Sequence, residues 1–206
     1  MIKRLFSWWL CALLAAPFAL AAQEKPDALI ERLSNQMIDR IKADPALHAG
    51  DLQKLSALVD EIIMPHVDFR RMTALSVGRY WRGATPEQQQ QLMGEYRTLL
   101  LRTYAGALSS VSDQKVRMRP LRAGAQDTEV IVRSEVLQPR GEPIQLDYRM
   151  EKTDDGWKAY DVNILGVWLV ETYRSQFAQE ISARGVDGLI RSLAEKKRQP
   201  AGKKPS

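Results

Sequence analysis

Apolar residues recur every three or four positions through the first half of the chain. They then recur every second position from about residue 115 to residue 164, and this change of period divides the sequence. From Asp27 to Ala43 the residues Ile30, Leu33, Met37 and Ile41 form one face of an amphipathic helix, widened by Leu29 and Ile38, and Asp44-Pro45 ends it. Asp51 is placed to cap a second helix running to Ile63, with Leu55, Leu58, Val59 and Ile62 inward and Pro65 as its stop. Phe69, Met72 and Leu75 are spaced for a third, short helix over Asp68 to Val77. Thr85-Pro86-Glu87-Gln88 is a helix start: Thr caps, Pro occupies the first turn, and Gln88 can close a capping box. That fourth helix is predicted to run to about Leu108 through Leu92, Tyr96, Leu99, Leu100, Thr103 and Tyr104.

Beyond Ser112 the alternation predicts strands. Val116 and Met118 alternate with Lys115, Arg117 and Arg119; Val130, Val132, Ser134 and Val136 alternate with Glu129, Ile131, Arg133 and Glu135. The cleanest run places Ile144, Leu146, Tyr148 and Met150 against Gln145, Asp147, Arg149 and Glu151. In the last strand Tyr160, Val162 and Ile164 share a face. Ala123-Gly124, Pro139-Arg140-Gly141 and Asp154-Asp155-Gly156 mark the turns. Four short-linked strands imply a four-stranded antiparallel sheet with one charged and one apolar face, so helices cover one face only and the class is α+β. Gly166 then breaks the run, and Val167, Val170, Tyr173, Arg174 and Phe177 fall on one face of a following helix. A final helix over Asp187 to Lys197 carries Leu189, Ile190 and Leu193, and no internal repeat is visible.

The ends of the chain give compartment and charge. Lys3 and Arg4 precede an apolar run from Leu5 to Leu20, broken only by Ser7, and Ala19-Leu20-Ala21 is a small-x-small cleavage site. Residues 1–21 therefore read as a secretory signal peptide, and the run is shorter than the roughly 20 residues of a membrane span. Trp8-Trp9-Leu10 before Cys11 lacks the small residue of a lipidation site. Cys11 is the single cysteine, so the chain from Ala22 onward has no thiol for catalysis, disulfides or metal binding. Residues 22–197 suffice for one domain with a real core. The net charge of +5 falls to +3 without Lys3 and Arg4. Much of the remainder clusters at Lys196, Lys197, Arg198, Lys203 and Lys204, so residues 198–206 read as a disordered basic tail. In an exported protein that tail is not expected to bind nucleic acid.

Little catalytic chemistry is on offer. His48 and His66 form no metal-ligand spacing, and there is no G-x-S-x-G elbow and no Gly-rich phosphate loop. No metal or cofactor is expected. Asp147 belongs to the charged face and is expected to be solvated. Asp161 sits opposite Tyr160 and Val162 in the alternation; it suits a structural hydrogen-bonding role better than that of a general base in a lined cavity. The positive signal is apolar volume. The inward sheet face offers Val130, Val132, Leu146, Tyr148, Met150, Tyr160, Val162 and Ile164. Facing helices add Leu100, Tyr104, Val167, Val170, Tyr173 and Phe177. Such a layer is either a filled core or a lined pocket, and the pattern leaves both open. Arg79, Arg82, Arg102 and Arg174 lie beside these stretches and are placed to ring a mouth, where guanidinium groups suit phosphate.

The chain resembles the MlaC family of periplasmic phospholipid-binding proteins, also described as toluene-tolerance auxiliary components. The resemblance rests on Tyr80-Trp81-Arg82, Ala84-Thr85-Pro86-Glu87-Gln88, Leu99-Leu100 and Thr103-Tyr104. It continues in Gly156-Trp157-Lys158, Tyr160-Asp161-Val162, Gly166-Val167, Leu169-Val170, Tyr173-Arg174-Ser175-Gln176-Phe177 and Gly185 through Leu193. Two positions depart from it: Trp168 stands where the family usually has a small residue, and Leu165 where an acidic one often precedes the glycine. The resemblance implies an NTF2-like fold and a non-enzymatic, monomeric lipid carrier. The apolar residues named above would hold the tails, and Arg82 and Arg174 would meet a head group or partner. It further implies exchange with an inner-membrane ABC transporter bearing MCE domains and with an outer-membrane lipoprotein–porin complex, to maintain outer-membrane lipid asymmetry. The alternatives are an NTF2-like enzyme using a cavity Asp or Tyr for proton transfer, and a filled-core protein whose basic surface binds anionic membrane.

Overall fold

The computed structural model describes residues 23–124 and 126–196. The expected signal peptide and basic tail lie outside the described residues. Capping residues set the helix starts where the sequence indicates them. Helix α1 (Pro26–Ala43) is followed by the single turn α2 (Pro45–His48) and by α3 (Leu52–Ile62), whose first amides at Gln53 and Lys54 donate to Asp51 Oδ1 at 2.9 and 3.0 Å. Helix α4 (Phe69–Val77) starts with Arg71 N donating to Asp68 Oδ1 at 2.8 Å. A 3-10 segment (Gly78–Gly83) leads to α5 (Pro86–Ser109). There Gln88 N donates to Thr85 Oγ1 at 3.2 Å and Thr85 N to Gln88 Oε1 at 3.0 Å, completing the capping box. The last helix, α6 (Leu169–Lys196), merges the two helices expected there and bends at Gly185, whose φ of 70° only glycine adopts without strain.

The sheet has five strands rather than four: β1 (Lys115–Met118), β2 (Glu129–Leu137), β3 (Ile144–Thr153), β4 (Gly156–Ile164) and β5 (Val167–Trp168). They pair in sequence order, every neighbour antiparallel. The extra strand arises because the chain reverses in a two-residue turn at Leu165–Gly166. Ile164 then pairs with Val167 and Asn163 with Trp168 before any helix begins. Val167 therefore lies on an edge strand and not on a helix face.

The core is in two parts. Helices α1, α2 and α3 pack on Val130, Val132, Met150, Trp157 and Ala159 from the sheet. The other part joins α4, α5 and α6 around Leu92 and Tyr96, both fully buried. Tyr96 meets Phe69, Tyr173 and Phe177 with ring centroids 5.6, 5.0 and 5.2 Å away, the latter two edge-on. Helix α5 serves both, giving Ala105 to the first and Tyr96 to the second.

A bulge in β4 shifts the alternation. Arg149 pairs with Asp161 but Met150 with Ala159, so Tyr160 is passed over. Trp157 and Ala159 take the inner face, and Tyr160 turns outward. Its ring lies 3.7 Å beneath the Arg71 guanidinium, which is ion-paired with Glu129 and Glu151. The uniform period placed Tyr160 beside Val162 and Ile164; the extra residue in the strand overrides it.

Met150→Ala should lower unfolding stability by about 2–4 kcal/mol, because the side chain is fully buried and its loss leaves a cavity. Val167→Ala, at an exposed position, should change it by no more than about 0.5 kcal/mol. Urea unfolding measures both; equal losses would contradict the two-part core.

Candidate functional site: the inner sheet face and the foot of α6

Burial along the inner face of the sheet is graded. At one end Val130, Val132, Met150, Trp157 and Ala159 are all buried. Towards the other end Val136, Ile144, Leu146, Tyr148, Val162 and Ile164 point the same way yet keep accessible surface, as do Leu100, Leu101, Tyr104 and Leu108 on α5. Of these, Leu101, Leu108 and Tyr148 are partly buried against the first cluster, and Leu100, Tyr104, Val162 and Ile164 against the second. Tyr148 makes the point best. Burial pushes its phenol up, with the Ser134 and Ser34 hydroxyls beside it pulling partly back, and the residue keeps some accessible surface. Burial likewise pushes Tyr104 up to about 12.

The fourteen apolar residues expected to line a pocket thus separate. Leu100, Tyr104, Val162 and Ile164 are partly buried against the second cluster, Tyr148 against the first, and Leu146 is partly buried beside its cross-strand partner Ile164. Val130, Val132 and Met150 are sealed in the first cluster; Val170, Tyr173 and Phe177 are sealed in the second. Tyr160 faces Arg71, and Val167 is 53% exposed. Val136 and Ile144, a cross-strand pair at the open end, were not among the expected lining residues, although their alternation with charged neighbours marks them as inward. Beside this end, α1 and β1 leave a groove of about 400 Å³ with Ile38 and Val116 in it and the Lys42–Asp113 pair on its rim. Of the two arginines, Arg174 lies over Gly78, its Nε 3.4 Å from where a Cβ there would stand, and Arg82 is exposed in the 3-10 segment.

On the opposite face a polar node fixes the foot of α6. Asp161 is 1% exposed. Its Oδ1 accepts from Val162 N at 2.9 Å and Val170 N at 3.0 Å, and its Oδ2 from Arg149 Nη1 at 2.9 Å. Arg149 also pairs with Glu171 and stacks 4.0 Å over Trp168. The indole at 168 therefore covers an ion pair on the outer face and does not enter the inner space. Asp147, expected to be solvated, is buried beside Asn163, its Oδ2 accepting from Gln145. The outer face is closed where β5 and α6 begin.

The chain matches the family model described as MlaC protein over residues 31–195. It is 23% identical over 182 residues to the intermembrane phospholipid transport system binding protein MlaC of Haemophilus influenzae, covering 87% of this chain and 85% of that one. To the toluene tolerance protein ttg2D of Pseudomonas putida it is 24% identical over 188 residues, covering 91% and 87%. A solved phospholipid-binding protein from Ralstonia solanacearum, in complex with a phospholipid, superposes with a TM-score of 0.82 at 50% identity, over 84% of this chain and 97% of that one. No helix among the described residues is long and apolar enough to cross a membrane.

Asp161→Ala should cost about 3 kcal/mol, because it leaves Arg149 without its buried partner. Burial holds the Asp161 carboxyl above its ordinary 3.8, against the lowering by the Val170 amide and Arg149. A carboxyl raised in the folded state gives stability that is present below about pH 4 and lost as pH rises through the raised value. The stability of the parent relative to Asp161→Asn should therefore fall as pH rises above about 4. Urea unfolding across that rise reads the difference, and a flat one would remove Asp161 as its source.

Proposed function

Because the chain belongs to the MlaC protein family, we propose that it is a periplasmic phospholipid carrier, monomeric and without catalytic activity. Acyl tails lie between the sheet and α5, against Leu100, Tyr104, Leu146, Tyr148, Val162 and Ile164. The observation that carries this reading is the graded inner face: apolar side chains that point inward yet remain accessible need an apolar occupant. The lipid-bound relative of the same fold at 50% identity supports it. Val136 and Ile144 extend the apolar wall towards the opening.

The energetics fit a carrier. Exposing a methylene to water costs about 0.8 kcal/mol, so a diacyl lipid with roughly 30 of them would cost on the order of 20 kcal/mol to move bare through water. The protein must hide most of that area without gripping one head group so firmly that release fails. The names of the relatives support transport between membranes. On this reading the inner-membrane partner is an ABC transporter with MCE domains, the outer-membrane partner is a lipoprotein–porin complex, and the result is outer-membrane lipid asymmetry. Arg82 and Arg174 remain the candidates for head-group or partner contact. An enzyme using Asp161 as base has less support, since that carboxylate points to the outer face and is engaged by two amides and a guanidinium.

Native mass spectrometry of protein purified from the periplasm tests the reading. Phospholipid should co-purify with the parent. Leu146→Glu and Val162→Glu should reduce lipid occupancy roughly ten-fold, because a carboxylate beside acyl tails is poorly solvated. Unchanged lipid content in a variant with parental circular dichroism would overturn the pocket assignment. Arg174→Glu should slow transfer more than it lowers occupancy; parental transfer would remove that arginine from the mechanism.

A further inference from the structure

Among the described residues the exposed large hydrophobic side chains are Leu165, at 64%, and Val167, at 53%. Both belong to the tip joining β4 to β5. The tip is held firmly. Leu165 N donates to Gln145 O at 3.0 Å, Gly166 N donates to Asn163 Oδ1 at 2.8 Å, and Ile164 pairs with Val167. Both central residues have positive φ, 54° at Leu165 and 88° at Gly166, as a tight hairpin turn requires. Asparagine or glycine would adopt that backbone with little strain; leucine does not. In the isolated molecule the leucine side chain stands in water, so no packing offsets the strain. A strained residue held without local reward marks a position serving something outside the fold.

The place of the tip says what that is. Ile164, the residue before it, lies on the inner face at the open end of the sheet, beside Leu146. A tail leaving that end passes next to Leu165. A stable protein partner needs on the order of 800 Å² on each side, far more than two side chains supply. A lipid surface needs no complementary fold, and a small apolar area inserted at the boundary between head groups and acyl chains gives the weak, reversible contact that a visiting carrier requires. We infer that the Leu165–Val167 tip is a bilayer contact, dipping into the acyl boundary of a lipid surface while lipid enters or leaves the pocket. The inference rests on the carrier reading and adds to it a partner, the lipid surface itself.

Cys11 is the only cysteine and lies in the leader, so Val167→Cys gives exported protein a unique site for a polarity-sensitive dye. With vesicles of phosphatidylethanolamine and phosphatidylglycerol, its emission should shift to the blue. Leu165→Asn combined with Val167→Ser should slow vesicle-to-vesicle lipid transfer roughly five-fold or more. The same pair should leave lipid content unchanged and keep or raise the melting temperature, because asparagine relieves the turn. Native mass spectrometry of the same samples separates the two readings. Protein without lipid would fail the carrier proposal. Lipid-loaded protein with parental transfer, or a dye silent to vesicles, would overturn the bilayer contact and leave the carrier standing.

Discussion

One buried carboxylate ties the last helix of this fold to the sheet. Asp161 accepts the amide of its own neighbour and the amide of Val170 in the first turn of α6, and pairs with Arg149 on the adjacent strand. The foot of the helix, the edge of β4 and the middle of β3 therefore share one point. A helix N-terminus presents unpaired amides and partial positive charge, and a carboxylate satisfies both. Where α6 begins then decides where Val170, Tyr173 and Phe177 meet α5, and so where the second buried cluster lies. Trp168 completes the node by covering the guanidinium, which keeps water from the ion pair.

The bulge one residue earlier has the opposite effect on the inner face. By turning Tyr160 outward it removes an aromatic ring from between the two clusters and substitutes the small Ala159. The Arg71–Glu129–Glu151 group anchors the displaced ring. The sheet is thus tied to α4 by charge on one side of the bulge and to α6 by charge on the other.

Much of the fold was legible because its boundaries are local. Asp51, Asp68 and the Thr85–Gln88 box act on amides within three residues, and the period of two depends only on side-chain alternation. What failed was set by longer-range or subtler geometry. The fifth strand depends on Leu165 accepting a left-handed backbone, which its residue type argues against. The bulge is a single unpaired residue that leaves the sequence pattern intact, so Tyr160 reads as inward. Asp147 reads as solvated because nothing in β3 announces that β5 and α6 close over that part of the outer face. At the site, alternation found the inward set, but it could not separate lining residues from sealed ones. Whether Val132 or Val162 keeps accessible surface depends on which helix lies opposite.

On the proposed carrier reading, the character of the lining bears on the direction of transfer. Hydrophobic burial is non-directional and scales with the area hidden. An acyl chain hidden against Leu146, Val162 and Ile164 and one hidden among other acyl chains lose nearly the same contact with water. Exchange between pocket and bilayer is then a small difference between two large and similar terms. A fixed cation deep in the pocket would upset that balance by adding a charge-assisted bond that the bilayer does not offer. The side chains there are hydroxyls instead: Ser134 donates to the Leu146 carbonyl at 3.1 Å, and the Ser134 and Ser34 hydroxyls lie beside the Tyr148 phenol. On that reading such a pocket sets no direction of its own for transfer, and direction would come from the partner that the carrier meets.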